Sequence, residues 1–259
     1  MSTSDDSLLV EKANSVLRLT LNRPAQRNAL NDELIGQLTE AFDAASHDPD
    51  VRAIVLAASG DRAFCAGADL KGGTFDFDYA EPRSAYADML RAGRATTVPV
   101  IGAINGFCLA GGMGLLAICD MAIASTTARF GLPEVKVGLF PMQVAAILQT
   151  MLPPRTFAEM CYTGDMIDAD QALSVGLVSK VVAPDALNDA VDALAARVVC
   201  NSPAAIRRGK YALAATAGLT PDQALDFMET QVGLMALTKD AKEGIAAFAE
   251  KRAPKWTGK

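Results

Sequence analysis

The 259-residue chain has a single histidine, His47, and that scarcity removes several mechanisms at once. A histidine-rich zinc site is excluded, and a Ser-His-Asp triad would have to recruit this one ring. His47 lies in ASHDPD, beside Asp48 and Pro49, where a surface turn after a helical segment is the expected setting. The five cysteines (Cys65, Cys108, Cys119, Cys161 and Cys200) are scattered, odd in number and without metal-ligand spacing. They read as reduced thiols of a cytoplasmic protein, most of them small core residues. Neither GxGxxG nor GxxxxGK[ST] occurs in the glycine-rich loops, so nucleotide-phosphate cradles of those two kinds are not supported. No uncharged apolar run reaches transmembrane length, and MSTSDDSLLVEK lacks a positive stretch before an apolar one. Neither a membrane nor a signal peptide is therefore expected. Positive charge is also in deficit: the net charge of −6 argues against nucleic acid as the main partner. An anionic ligand would need locally placed Lys, Arg or backbone N–H groups.

Apolar residues make up 51% of the chain and charged ones 21%, enough to bury a sizeable core. In the first half, strand-like and helix-like segments alternate. SVLRLTLN (Ser15–Asn22) alternates with period two, and VRAIVLAAS (Val51–Ser59) and PVIGAIN read as buried strands. Asn31 is placed to cap a helix whose Leu34, Ile35, Leu38 and Phe42 share one face. A second helix is expected over roughly Tyr86 to Arg94, and MAIAS is the next strand. Beyond Pro141 the pattern predicts mostly helices, several opening at Pro or after Asp or Ser. The expected architecture is α/β, a repeated βα core over residues 1–200 carrying a helical region over 201–259.

Two glycine-rich loops interrupt this pattern. In Phe64-Cys65-Ala66-Gly67-Ala68-Asp69-Leu70-Lys71, small residues admit a ligand to the backbone, and Asp69 is a candidate cap for a following helix. In Asn105-Gly106-Phe107-Cys108-Leu109-Ala110-Gly111-Gly112-Met113-Gly114, a strand ends, glycines turn the chain and a helix starts with free N–H groups. That geometry favours an anion or a developing oxyanion. A third segment, GLPEVKVGLFP (Gly131–Pro141), holds one carboxylate, Glu134, among apolar residues. It has either a structural partner or a chemical task.

FCAGADLK, then NGFCLAGGMGLLAICD, FGLPEVKVGL and YTGDMIDADQALSVGLVSKVV, in that order and spacing, resemble the crotonase (enoyl-CoA hydratase/isomerase) superfamily. The similarity runs from about Leu17 to the C-terminus. It implies a ββα-superhelix core with a C-terminal helical region, acting on an acyl-CoA thioester, with CoA arriving as part of the substrate and no metal or redox cofactor. It implies an oxyanion hole from the backbone N–H groups of Ala68 and Gly111, which would hold the thioester oxygen as it becomes enolate-like. CoA contacts would come from Arg27 and Lys71 for phosphates and from the backbone around Ala66 for adenine. Ala29, Asp69 and Leu70 line the same stretches, and Lys251 would reach CoA from a neighbouring subunit. The family's trimers or dimers of trimers imply a homotrimer or hexamer here.

The resemblance also marks two departures. Hydratases of the family commonly use two glutamates, one three residues after the oxyanion glycine and one in a G-x-P-E segment. The second is Glu134; the first position holds Gly114. Where the hydratase pattern continues to Pro-Gly, this chain has Pro141-Met142, an apolar residue expected to discourage water while leaving its N–H available. One base suffices to move a double bond from the 3- to the 2-position, whereas adding water needs a positioned water. The departures favour Δ3,Δ2-enoyl-CoA isomerisation. A 2-enoyl-CoA hydratase using Glu134 alone, and a degenerate acyl-CoA-binding protein without turnover, are the rivals. Of the other acids, Asp120 suits a helix–strand junction and Asp168 or Asp170 a helix cap. Asp165 keeps a minor claim to catalysis, and Asp76, Asp78 and Glu81 suit a solvated loop.

Overall fold

In the computed structural model, which describes residues 6–69, 80 and 83–259, the chain opens on a hairpin that the polar N-terminal sequence had hidden. β1 (Leu8–Ala13) pairs antiparallel with β2 (Val16–Leu21). Asn14 and Ser15 turn it with φ of 51° and 62°, the handedness that matches the twist of paired strands. β1 (LLVEKA) shows no alternation in its sequence because it is an edge strand, exposed along most of its length.

The chain continues through α1 (Asp32–His47), β3 (Ala53–Ala58), β4 (Ala63–Cys65) and α2 (Ala85–Ala95). It then forms β5 (Val100–Ile104), β6 (Phe107–Leu109), α3 (Gly111–Ala117), β7 (Met121–Ser125) and β8 (Arg129–Gly131). A 3-10 turn (Pro133–Val137) leads to α4 (Met142–Leu148), α5 (Pro154–Thr163), β9 (Met166–Asp168), α6 (Ala169–Ser174) and β10 (Lys180–Val182). α7 (Leu187–Val199), α8 (Pro203–Thr216), α9 (Pro221–Ala236) and α10 (Lys239–Ala249) complete it. Asn31 caps α1 as expected, accepting from the Leu34 N–H. His47 is the last residue of that helix rather than part of a turn. Its Nδ1 lies 2.8 Å from the Asp43 carbonyl, and the chain leaves the helix only at Asp48, before Pro49.

Six strands form one sheet in the order β1-β2-β3-β5-β7-β10, parallel except for the first pair. β3 shows why its sequence is apolar throughout. Ile54 and Leu56 join the main core with Leu34, Leu38 and Phe42 of α1, while Val55 and Ala57 face the opposite way onto Leu187, Val191 and Ala195 of α7. A parallel strand buried on both faces has no polar side to alternate with.

A second sheet, β4-β6-β8-β9, positions the functional loops. Each long strand β3, β5 and β7 is followed by a three-residue strand, and these three pair side by side in parallel. Their C-terminal ends therefore lie together, delivering the segments after Cys65, Leu109 and Gly131 to one place. β9 closes the far edge antiparallel to β8.

α8 is bound to the core through Arg207, which donates to the carbonyls of Ser46, Asp48 and Val51 and to the Thr97 hydroxyl. Lys210 reaches Asp120 at 2.7 Å, and Asp120 also accepts the Val100 N–H. Asp120 thus ties a helix–strand junction, as expected. α9 has no buried residue, and Leu225, Val232 and Leu237 on it or at its end, with Ile245 and Phe248 of α10, are exposed. The C-terminal tail is latched by Asp240, 1% exposed, which accepts from Ser202 Oγ and from the N–H groups of Ala204, Thr257 and Gly258. Cys65, Cys108, Cys119 and Cys161 are buried free thiols, and Cys200 is exposed.

Candidate active site

The first loop is built outward from Asn28. Its backbone is left-handed (φ 55°), and its buried side chain donates to the carbonyls of Ser59 and Ala63 while accepting the Arg23 N–H. These bonds hold the turn around Arg27 and Ala29 against the end of β4. Leu30 then forms a parallel bridge with Ala68: its N–H goes to the Gly67 carbonyl and its carbonyl takes the Asp69 N–H. In such a bridge the bonds are made by the neighbours of Ala68, so the Ala68 N–H itself has no acceptor among the described residues.

The second loop brings Gly111 to the same spot. A Cβ on Gly111 would stand 3.6 Å from the Ala68 nitrogen, an ordinary contact that sets the two loops side by side, whereas a Cβ on Gly112 would lie 2.4 Å from the Cys65 carbonyl, so glycine at 112 is what lets them touch. Gly111 is the first residue of α3, where the helix supplies no acceptor for its N–H. Ala110, just before it, has φ 50° and ψ −120°, an unfavourable conformation for a residue with a Cβ. It is held by donation to the Gly131 carbonyl at 3.0 Å and by acceptance from Met113 at 2.9 Å. The two N–H groups expected as an oxyanion hole are thus brought together.

Glu134 sits in the 3-10 turn that follows β8. Its Oε2 is buried without a hydrogen-bond partner among the described residues, and burial raises its pKa above 4.5 despite a bond from its own N–H. A half-buried carboxylate with one oxygen buried and unpartnered is the arrangement expected of a proton-transfer group rather than of a structural one.

The position of Gly114 is filled by another residue. A Cβ there would lie 2.0 Å from the hydroxyl of Tyr86, on α2, and 3.2 Å from its Cζ. The Tyr86 hydroxyl donates to the Gly111 carbonyl at 2.7 Å. Burial above all, with the nearby Glu134 carboxylate adding to it, pushes its pKa well up, so it stays a neutral phenol. Nothing in the sequence points to Tyr86 beyond its place at a helix start, because Gly114 reads there as a missing carboxylate rather than as room for a distant side chain.

Several other expectations are corrected. Asp69 pairs with Arg23, its carboxylate taking Nη2 at 2.9 Å in a largely buried ion pair, and the segment it was expected to cap lies outside the described residues. The Ala66 N–H is spent on the Arg27 carbonyl at 3.1 Å, which leaves the Ala66 carbonyl for a ligand. The Met142 N–H is not available either. Pro141, with φ −74° and ψ 53°, forms an inverse γ-turn in which Met142 donates to the Phe140 carbonyl at 2.7 Å. The Met142 side chain is 71% exposed and does not wall the site. Arg27 is exposed beside the first loop, whereas Lys251 lies in the turn just after α10, which packs on α8 and α9. Asp165 is exposed and paired with Lys136 at 3.1 Å, and Asp168 forms a capping box with Gln171. Leu70, Lys71, Asp76, Asp78 and Glu81 lie outside the described residues. Among the described residues, no three His, Cys, Asp or Glu side chains group as a metal site, and no helix is long and apolar enough to cross a membrane.

Comparison with known proteins decides the family. The profile of the enoyl-CoA hydratase/isomerase family matches residues 11–259. The chain belongs to that family. It is 35% identical to the (E)-benzylidenesuccinyl-CoA hydratase of Thauera aromatica, with 96% of this chain and 98% of the relative covered. It is 36% identical to the crotonyl-CoA hydratase of Syntrophomonas wolfei, over 95% of this chain and 96% of the relative. A crystal structure of enoyl-CoA hydratase from Mycobacterium smegmatis superposes with a TM-score of 0.89 at 36% identity, covering 96% of this chain and 98% of that one. The fold is that of the crotonase superfamily, and the chain is an acyl-CoA enzyme of the enoyl-CoA hydratase/isomerase family.

Proposed function

We propose that this family member isomerises 3-enoyl-CoA to 2-enoyl-CoA with Glu134 as its only carboxylate. The observation that carries the proposal is at position 114, where the Tyr86 hydroxyl occupies the space a second glutamate would enter. The thioester oxygen is held by the N–H groups of Ala68 and Gly111, which acidifies C2. Glu134 takes the C2 proton, negative charge collects on the thioester oxygen of a dienolate, and the same carboxylate returns the proton at C4. Its raised pKa suits a group that must both accept and release a proton near neutrality. The engaged Met142 N–H supports the same choice, since it cannot help to place a water. CoA is bound as part of the substrate along Arg27, Ala29, the Ala66 carbonyl and the segment through Leu70 and Lys71. The exposed apolar surface of α9 and α10 supports assembly as a homotrimer or hexamer, in which Lys251 of a neighbour completes the CoA site, in the cytoplasm.

Hydration is the second reading, favoured by the hydratase names of the relatives. Absorbance of the conjugated thioester separates the two. Isomerisation creates that signal from a 3-enoyl-CoA, and hydration removes it from crotonyl-CoA. Rapid loss of the crotonyl signal with no conversion of the 3-enoyl ester would overturn the isomerase proposal.

A further inference from the structure

Tyr86 touches both glycines that define this site, and the proposed chemistry gives it no proton to move. The first turn of α3 is Gly111-Gly112-Met113-Gly114, so three of its four residues contribute little intrinsic rigidity. The helix is only seven residues long. An N–H that must face a developing oxyanion needs a fixed backbone, and this backbone has little stiffness of its own. Tyr86 supplies an external tie through its 2.7 Å bond to the Gly111 carbonyl. α2 is itself anchored at that end: Ser84 caps it by accepting from Ala87, and Gln143 of α4 donates to the same hydroxyl at 2.6 Å. The phenol therefore comes from a held element and reaches a soft one.

We propose that Tyr86 is a positioning residue that fixes the first turn of α3 through the Gly111 carbonyl and, by filling the space at position 114, makes this a one-carboxylate site. The proposal rests on the acyl-CoA reading of the site but not on the choice between isomerisation and hydration. Gly114 and Tyr86 form a matched pair, because any side chain at 114 meets the phenol first.

Binding measured by calorimetry tests the first half without turnover. Acetoacetyl-CoA places enolate charge on the thioester oxygen, whereas butyryl-CoA has only a neutral carbonyl. Tyr86→Phe is expected to weaken acetoacetyl-CoA by about 5- to 50-fold and butyryl-CoA by less than about 3-fold. Equal weakening of both esters, or no change in either, would overturn the positioning role. If the unsubstituted protein binds neither ester, the acyl-CoA reading fails and the proposal with it. Thermal melting tests the second half. Gly114→Ala is expected to lower Tm by roughly 2–10 °C in the parent and by less in the Tyr86→Phe background, where the nearest atoms become Cζ of residue 86 and Leu90 Cδ2, both at 3.2 Å. An alanine cost that is absent, or equal in the two backgrounds, would overturn the exclusion.

Discussion

Glu134 is held in a state that disfavours its own charge. Burial raises its pKa above the ordinary 4.5, so the folded protein binds that proton more tightly than the unfolded chain does. Native stability therefore falls as pH rises from the unfolded value through the folded one, and the penalty persists at neutral pH. Glu134→Gln removes the charge and keeps the shape. It should lower turnover by about 10²–10⁴-fold while raising Tm at pH 7, with the Tm gain vanishing below pH 4.5. Turnover and melting curves of one preparation check both signs. In the parent enzyme the acid limb of the rate profile should lie above the ordinary carboxylate value, because the base must be ionised. Glu134 was legible from its neighbours in GLPEVKVGLFP. Tyr86 was not, since its partner Gly111 is 25 positions away and only folding shows that they meet.

At the scale of elements, legibility followed length and burial. β3, β5 and β7 announce themselves because they are apolar on both faces over five or six residues. β4, β6, β8 and β9 have three residues each, too few for a period to be read, yet they bring the loops together. The helical character of the chain after Pro141 is legible because prolines and capping residues such as Thr220, with its Gln223 capping box, mark helix starts. The latch at Asp240 joins α8, α10 and the tail. Burial would raise its pKa, but bonds from Thr257, Ser202 and Ala204 outweigh that and hold it below the usual 3.8. Asp240→Ala leaves those donors unpaired and should cost about 2–4 kcal/mol at pH 7 by denaturant unfolding. A depressed carboxylate stabilises the fold above its unfolded pKa, so the gap between variant and parent should narrow as pH falls below 3.8.

On the scale of the whole molecule, the C-terminal helices present more apolar surface than a monomer usually leaves open. Val232 is 70% exposed, Ile245 73% and Phe248 88%. The predicted trimer or hexamer should therefore fall to monomers when these three are changed together to Glu, Lys and Glu. Sedimentation velocity reads this directly, and a variant that sediments like the parent would remove these residues from the interface. The small sheet also has a temporal consequence. Its strands lie between residues 63 and 168, and β8 gains its second neighbour only when Met166–Asp168 arrives. During synthesis, the loops that carry Ala68 and Gly111 leave the ribosome well before the strand that closes their sheet. A nascent chain ending near residue 130 thus carries the Ala68 and Gly111 loops without Glu134, so the three segments of the candidate site cannot meet until the chain has grown past them.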